Sequence, residues 1–297
     1  MRRALLAAIP LVLLAQGCAA SAARDGGPTG GAGSGGAAGT RDESLAQRYE
    51  AEVTVLQDAG HGPELCLGGI RASLPPQCGG IPIPNWSWDA VSGEETRGRT
   101  TWGTFRVVGT YDGDTFTVAE ATPSRPATEQ PQDPPRAAAC PAPRAGWPRK
   151  IHDPTGTKVQ ALSELARRAP EFAGLWLTYA HPPAEGTDVG PVVVNAAFTS
   201  DLERHEAELR RHWPGPLCVT RHARSYRELA RIQNELSGAA GRSLGLEVLR
   251  SSVMEVDNVL DAEVVVLDER ARKAVEARYG KAVRLTAALN PVGRAAR

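Results

Sequence analysis

The sequence carries no surplus of charge of either sign. Lys and Arg together number 34, and Asp and Glu together number 34. Setting Arg2 and Arg3 aside as part of a leader leaves 32 basic against 34 acidic side chains. Binding to a phosphate backbone draws on cationic excess, so nucleic acid is excluded as an expected partner. Aromatic residues are scarce, with six Trp, five Tyr and four Phe in 297 residues. Beyond the N-terminus no apolar run approaches the roughly 20 residues that a helical membrane span needs. There is no Gly-x-Ser-x-Gly elbow, no P-loop and no Cys-x-x-Cys pair, and no cofactor or metal is expected.

What is present starts at the N-terminus. Arg2 and Arg3 precede an apolar run from Ala4 to Ala15. As a helix that run rises about 18 Å, too short for a hydrocarbon core of roughly 30 Å, so it reads as the core of a signal peptide, residues 1–17. It ends in Leu14-Ala15-Gln16-Gly17-Cys18, which resembles the bacterial lipobox. The resemblance implies that Cys18 is diacylated and becomes the mature N-terminus. Gln16 departs from the small residue usual there, and cleavage after Ala20 or Ala23 is the alternative. Gly26 to Gly39 holds eight glycines in fourteen positions, a composition that buries no core and suits a tether over residues 18–47. The expected location is the outer face of the cytoplasmic membrane, lipid-anchored, with secretion as the alternative.

Without Cys18 four cysteines remain: Cys66, Cys78, Cys140 and Cys218. An even number in an exported chain predicts two disulfides. Of the three connectivities, Cys66–Cys78 and Cys140–Cys218 are favoured. The first closes a Gly/Pro-rich loop, and the second fastens the start of a second domain to its own strand.

The predicted fold class is α+β. Residues 48–120 read as a small β domain, half-open and OB-like. Its clearest signal is Trp102 to Ala119, two alternating strands around Asp112-Gly113, a hairpin signature. Residues 121–149 form a proline-rich linker. Residues 150–292 alternate helix and strand. Ser225 with Glu228 makes a capping box, Asp268 caps a further helix, and Gly238 to Gly245 reads as a mobile loop. Val192 to Val194, a helix and Leu217 to Thr220 echo Val264 to Val266, a helix and Val283 to Ala287. Two β-α-β units of this kind predict a ferredoxin-like plait with an inserted helix.

Three groups of residues are candidates for chemistry. His61, in Gly-His-Gly-Pro, is the most enzyme-like histidine, with no evident carboxylate partner beside it. Arg204-His205-Glu206 starts like a helical zinc motif, but Leu209 stands where the second histidine belongs, and a solvated helix face is expected. Trp86, Trp88 and Trp102 lie within seventeen residues. They are either the core of the β domain or a binding face for sugars or side chains.

Leu65-Cys66-Leu67-Gly68-Gly69, Pro75-Pro76-Gln77-Cys78-Gly79-Gly80, Trp86-Ser87-Trp88-Asp89 and Gly215-Pro216-Leu217-Cys218-Val219 resemble an uncharacterised actinobacterial family of exported, lipoprotein-like proteins. That resemblance spans most of residues 50–292 and implies no activity. Phe172 to Trp176 and Val256-Asp257-Asn258 more faintly resemble propeptides of streptogrisin-type serine proteases, which implies a chaperone or inhibitor acting in trans. The leading expectation is a non-enzymatic surface lipoprotein that binds an envelope protein or glycan. The alternatives are a hydrolase using His61 and nearby carboxylates, and the trans-acting inhibitor.

Overall fold

The computed structural model describes residues 47–124, 138–147, 156–180 and 192–293. The signal peptide, Cys18 and the tether up to residue 46 lie outside them, as do 125–137 and 148–149 of the proline-rich segment and 150–155 at the start of the segment that follows. Among the described residues the fold is α+β, with sheets that are mostly antiparallel.

Alternation builds the first sheet. β1 (Arg48–Gln57) turns Ala51, Val53 and Val55 inward and Glu50, Glu52 and Thr54 outward. Its whole length pairs antiparallel with β5 (Thr100–Tyr111), which buries Phe105 and Val107 on the same side. The hairpin read from Asp112-Gly113 is present and leads into β6 (Phe116–Pro123). Asp112 Oδ1 accepts the N–H of Asp114 (3.0 Å) and of Thr115 (2.8 Å), closing the turn. The sheet runs β3 (Ile81–Pro82), β2 (Glu64–Leu65), β1, β5, β4 (Glu95–Arg97), and β6 also pairs with β5. It is not a closed barrel.

A seventh strand comes from the far end of the chain. β13 (Asn290–Pro291) pairs with Tyr49 and Glu50 of β1. Val265 and Leu289 are fully buried among Val53, Val55, Phe105 and Phe116. Burying each stabilises by roughly 1.5–3 kcal/mol. The described residues all fall within one compact unit.

The remainder repeats one arrangement of elements twice. One unit runs α1 (Thr157–Ala166), β7 (Phe172–Tyr179), β8 (Val192–Phe198), α2 (Leu202–His212), β9 (Leu217–Arg221). The other runs α3 (Tyr226–Ser237), α4 (Ala239–Ser243), β10 (Val248–Met254), β11 (Val259–Val264), α5 (Glu269–Tyr279), β12 (Val283–Ala287). Each is an antiparallel hairpin followed by a helical crossover to a parallel third strand. The expected single plait is therefore replaced by two separate three-stranded sheets. In each unit the β-α-β element takes its own preceding strand, β7 or β10, as its further partner. The echo of the two units is real, but Val194 faces Leu217 as Leu260 faces Val283, so Val194 is level with Leu260 and not with Val266.

The caps follow the sequence. The Ser225 hydroxyl accepts the Glu228 N–H (3.2 Å), and Asp268 Oδ1 accepts the Ala271 N–H (2.6 Å). Such a cap contributes about 1 kcal/mol. Gly238 to Gly245 is not a plain loop, for α4 lies within it. Gly241 is required there, since a Cβ would sit 1.7 Å from the Leu236 carbonyl oxygen.

Both favoured disulfides are formed. Cys66 and Cys78 have Cα atoms 5.5 Å apart, and Cys140 and Cys218 have theirs 5.9 Å apart. The second straps the end of the proline-rich segment to β9, on the face of β7–β8–β9 opposite the one where Val194 and Ala196 pack with Leu209 of α2. Beneath it Asn195, fully buried, accepts the Ala139 N–H at Oδ1 (2.9 Å) and donates to Thr178 Oγ1 (2.9 Å).

Candidate functional site

The tryptophans do not share one surface. Trp86 and Trp88 lie over the core ring of Phe105, with centroids at 5.0 Å and 6.2 Å and edge-on to each other at 5.4 Å. The Trp88 indole N–H donates to Gln57 Oε1 (2.8 Å), whereas that of Trp86 is buried without a partner. Asn85 positions this loop through two bonds to the Val118 backbone, at 2.7 and 3.0 Å. Trp102 is three residues from Phe105 along β5, and a strand alternates sides, so it faces the opposite side of the sheet. There it stands opposite Leu56 and Glu95. The expectation that Trp102 joins the other two is corrected by this parity.

His61 has carboxylate neighbours after all. Its Nε2 is 3.4 Å from Asp58 Oδ2, and its Nδ1 is 3.6 Å from Glu64 Oε1 and 2.8 Å from the Gly62 carbonyl oxygen. The i±3 spacing across Gly60 and Gly62 is the signal that would have found them. Both carboxylates also brace the loop. Asp58 accepts the N–H of Gly60 (2.6 Å) and His61 (3.2 Å), and Glu64 accepts that of Gly80 (3.0 Å). The Gly60 N–H bond, aided by the His61 charge, holds the Asp58 carboxyl below its usual range against some desolvation.

His205 is not on a solvated face. It is 3% exposed, and its ring stacks on Phe198 with centroids 3.9 Å apart. Arg204 Nη2 lies 3.1 Å from its Nε2, which suits a neutral ring protonated at Nδ1. Burial, and then the Arg204 charge, lower its pKa. Glu171 Oε2 is 3.6 Å from the same nitrogen and accepts no hydrogen bond. Leu209, at the place of a second zinc ligand, is buried in the core. Among the described residues no group of three or more His, Cys, Asp or Glu side chains is arranged to hold a metal ion. His222 stacks on Trp176 at 5.7 Å, and burial lowers its pKa as well.

One apolar surface depression was not foreseen. A groove of about 480 Å³ runs between α1 and β7, lined by Val159, Ser163, Leu175, Leu177, Val192 and Trp213. Leu177 is 51% exposed and Tyr179, two residues along the strand, 39%. Arg167 borders it, bonded to Glu255 Oε1 (2.8 Å) and packed over the rings of Phe172 and Tyr226. The alternation Leu175, Leu177, Tyr179 is visible in the sequence, but its exposure is not. No protein-family model matches the chain, and no curated protein matches it.

Proposed function

We propose that the protein is an exported, lipid-anchored interaction module that holds a partner at the cell surface through the groove between α1 and β7. The observation that carries this reading is a pair of large apolar side chains, Leu177 and Tyr179, left in solvent beside an apolar depression. Isolated exposed apolar residues are ordinary, but contiguous ones beside a groove mark binding surfaces. Two disulfides fit an oxidising compartment. No helix among the described residues is long and apolar enough to cross a membrane, and in this reading the diacyl group on Cys18 supplies the attachment. His61 and its carboxylates serve the loop rather than a reaction, since each already holds backbone groups.

Two experiments test this. Cys18→Ala should move the protein from the membrane fraction to the soluble one, and unchanged retention with an unmodified mature mass would refute anchoring. A photo-crosslinker at Gln160, on the groove rim, should capture an envelope component on intact cells. The same probe at Glu95, on the far sheet, should not. Equal capture from both positions would refute the groove as the binding surface.

A further inference from the structure

β7 is an edge strand of the β7–β8–β9 sheet. In an antiparallel pair, successive residues point their N–H and C=O alternately toward and away from the partner. Leu175 points away from β8, because its N–H donates to Glu255 Oε2 (2.7 Å). Val194, opposite Leu177, agrees with this phase: its N–H turns away from β7 to the Pro216 carbonyl (3.0 Å). Leu177 and Tyr179 share the parity of Leu175, so their N–H and C=O groups face outward along an edge that has no strand partner among the described residues.

Other edges of these sheets are guarded. β3 carries Pro82, β4 Glu95 and Arg97, β6 Glu120 and Pro123, β9 Arg221, β10 Arg250, β12 Arg284 and β13 Pro291. Charges and prolines of this kind are how natural proteins prevent edge-to-edge pairing. β7 reads Phe-Ala-Gly-Leu-Trp-Leu-Thr-Tyr, with neither.

We propose that the β7 edge from Leu177 to Tyr179 is a strand-addition site for an extended peptide of a partner protein, one of whose apolar side chains enters the groove beside Leu177. This rests on the reading of the protein as an interaction module and names the chemistry of its partner. Main-chain donors and acceptors spaced two residues apart are matched in register by another extended backbone. The groove, with Val159, Val192 and Trp213, takes the side chain that this backbone turns toward α1. Glu255 sets the end of the site. Its carboxylate, held by Arg167, occupies the place of a peptide carbonyl on the Leu175 N–H.

The test uses the purified full chain and a fluorescein-labelled, end-blocked hexapeptide of alternating valine and threonine, read by anisotropy. The unmodified protein should bind it. Leu177→Pro removes an outward N–H and leaves the β8 ladder intact, a substitution that edge strands tolerate. It should weaken binding roughly 10-fold, as should N-methylation of the peptide at alternate amides. Leu177→Lys, an exposed change that leaves the fold in place, should do the same by guarding the edge. No binding by the unmodified protein, or equal binding of the N-methylated peptide, would overturn the site. A dimer by sedimentation that Leu177→Lys dissolves, with no peptide bound, would overturn it in favour of a second copy. Crosslinking from Gln160 that survives Leu177→Lys would overturn strand addition and leave the interaction module standing.

Discussion

Cutting the Cys140–Cys218 bond should cost about 4 kcal/mol, and the cost should be coupled to Asn195. The bond joins residues 78 apart in sequence. In the chain-entropy model a loop of that length is worth roughly 4 kcal/mol, against roughly 3 for the separation of 12 at Cys66–Cys78. Cys218 stands directly opposite Asn195 in the β8–β9 ladder, and Ala139, beside Cys140, donates to the Asn195 side chain. Once the strap is released, the Asn195 amide loses that partner. Asn195→Ala alone should cost about 1–3 kcal/mol, the range for disrupting a buried hydrogen-bonded polar group. In the Cys140→Ser/Cys218→Ser background it should cost less, because the Ala139 bond is already gone. Urea denaturation of the four proteins gives the double-mutant cycle. A disulfide loss below about 1 kcal/mol, or an Asn195 cost that is the same in both backgrounds, would refute the picture of a strap held by the bond and the amide together.

Trp86→Ala should destabilise by roughly 3–5 kcal/mol, as for a core aromatic, because its ring sits against Phe105. Trp102→Ala should cost less than Trp86→Ala in the same denaturation assay, since its side of β5 is outside the Phe105 cluster. Stability should fall as pH drops from about 7 to about 5. Free histidine titrates near 6.5, whereas burial, and for His205 the Arg204 charge, depress the folded pKa of His205 and His222. Unfolded chains then bind protons that the folded protein refuses, so stability present above the unfolded pKa is lost as pH falls through the folded one. Glu171, Asp201, Glu208 and Arg204 are the charges acting on His205, and His205→Gln should flatten the melting-temperature profile in that window without altering the later loss at carboxylate pH. An unchanged slope would remove His205 as its source. Gly241→Ala should be severely destabilising by calorimetry, since the Leu236 carbonyl leaves no room for a Cβ.

Local signals in the chain were read well because their causes are local. The Asp112-Gly113 hairpin and the Ser225 and Asp268 caps each depend on a few neighbouring residues, and each is present as read. The disulfide pairing was also legible, because loop length and segment character favoured one connectivity of three. His61 shows a local signal that was passed over: Asp58 and Glu64 are three residues away on either side, and tight glycine turns fold them back.

Other features depend on contacts between distant segments. The pairing of Asn290 and Pro291 with β1, and the burial of Leu289 beside Phe105, join the two ends of the described chain, and two short residues in a tail carry no periodicity to announce it. In the two separate sheets each crossover unit pairs with its own neighbouring strand, a choice of partner that hydrophobic pattern does not encode. His205 looked solvated because its helix is rich in charge, yet one side chain of an amphipathic helix is turned onto Phe198 by the docking of that helix on its sheet. Leu177 and Tyr179 lie in an alternating apolar pattern that by itself does not say whether they are covered. Their exposure follows from the position of β7 at a sheet edge and from where α1 packs, and both are set by the assembled fold.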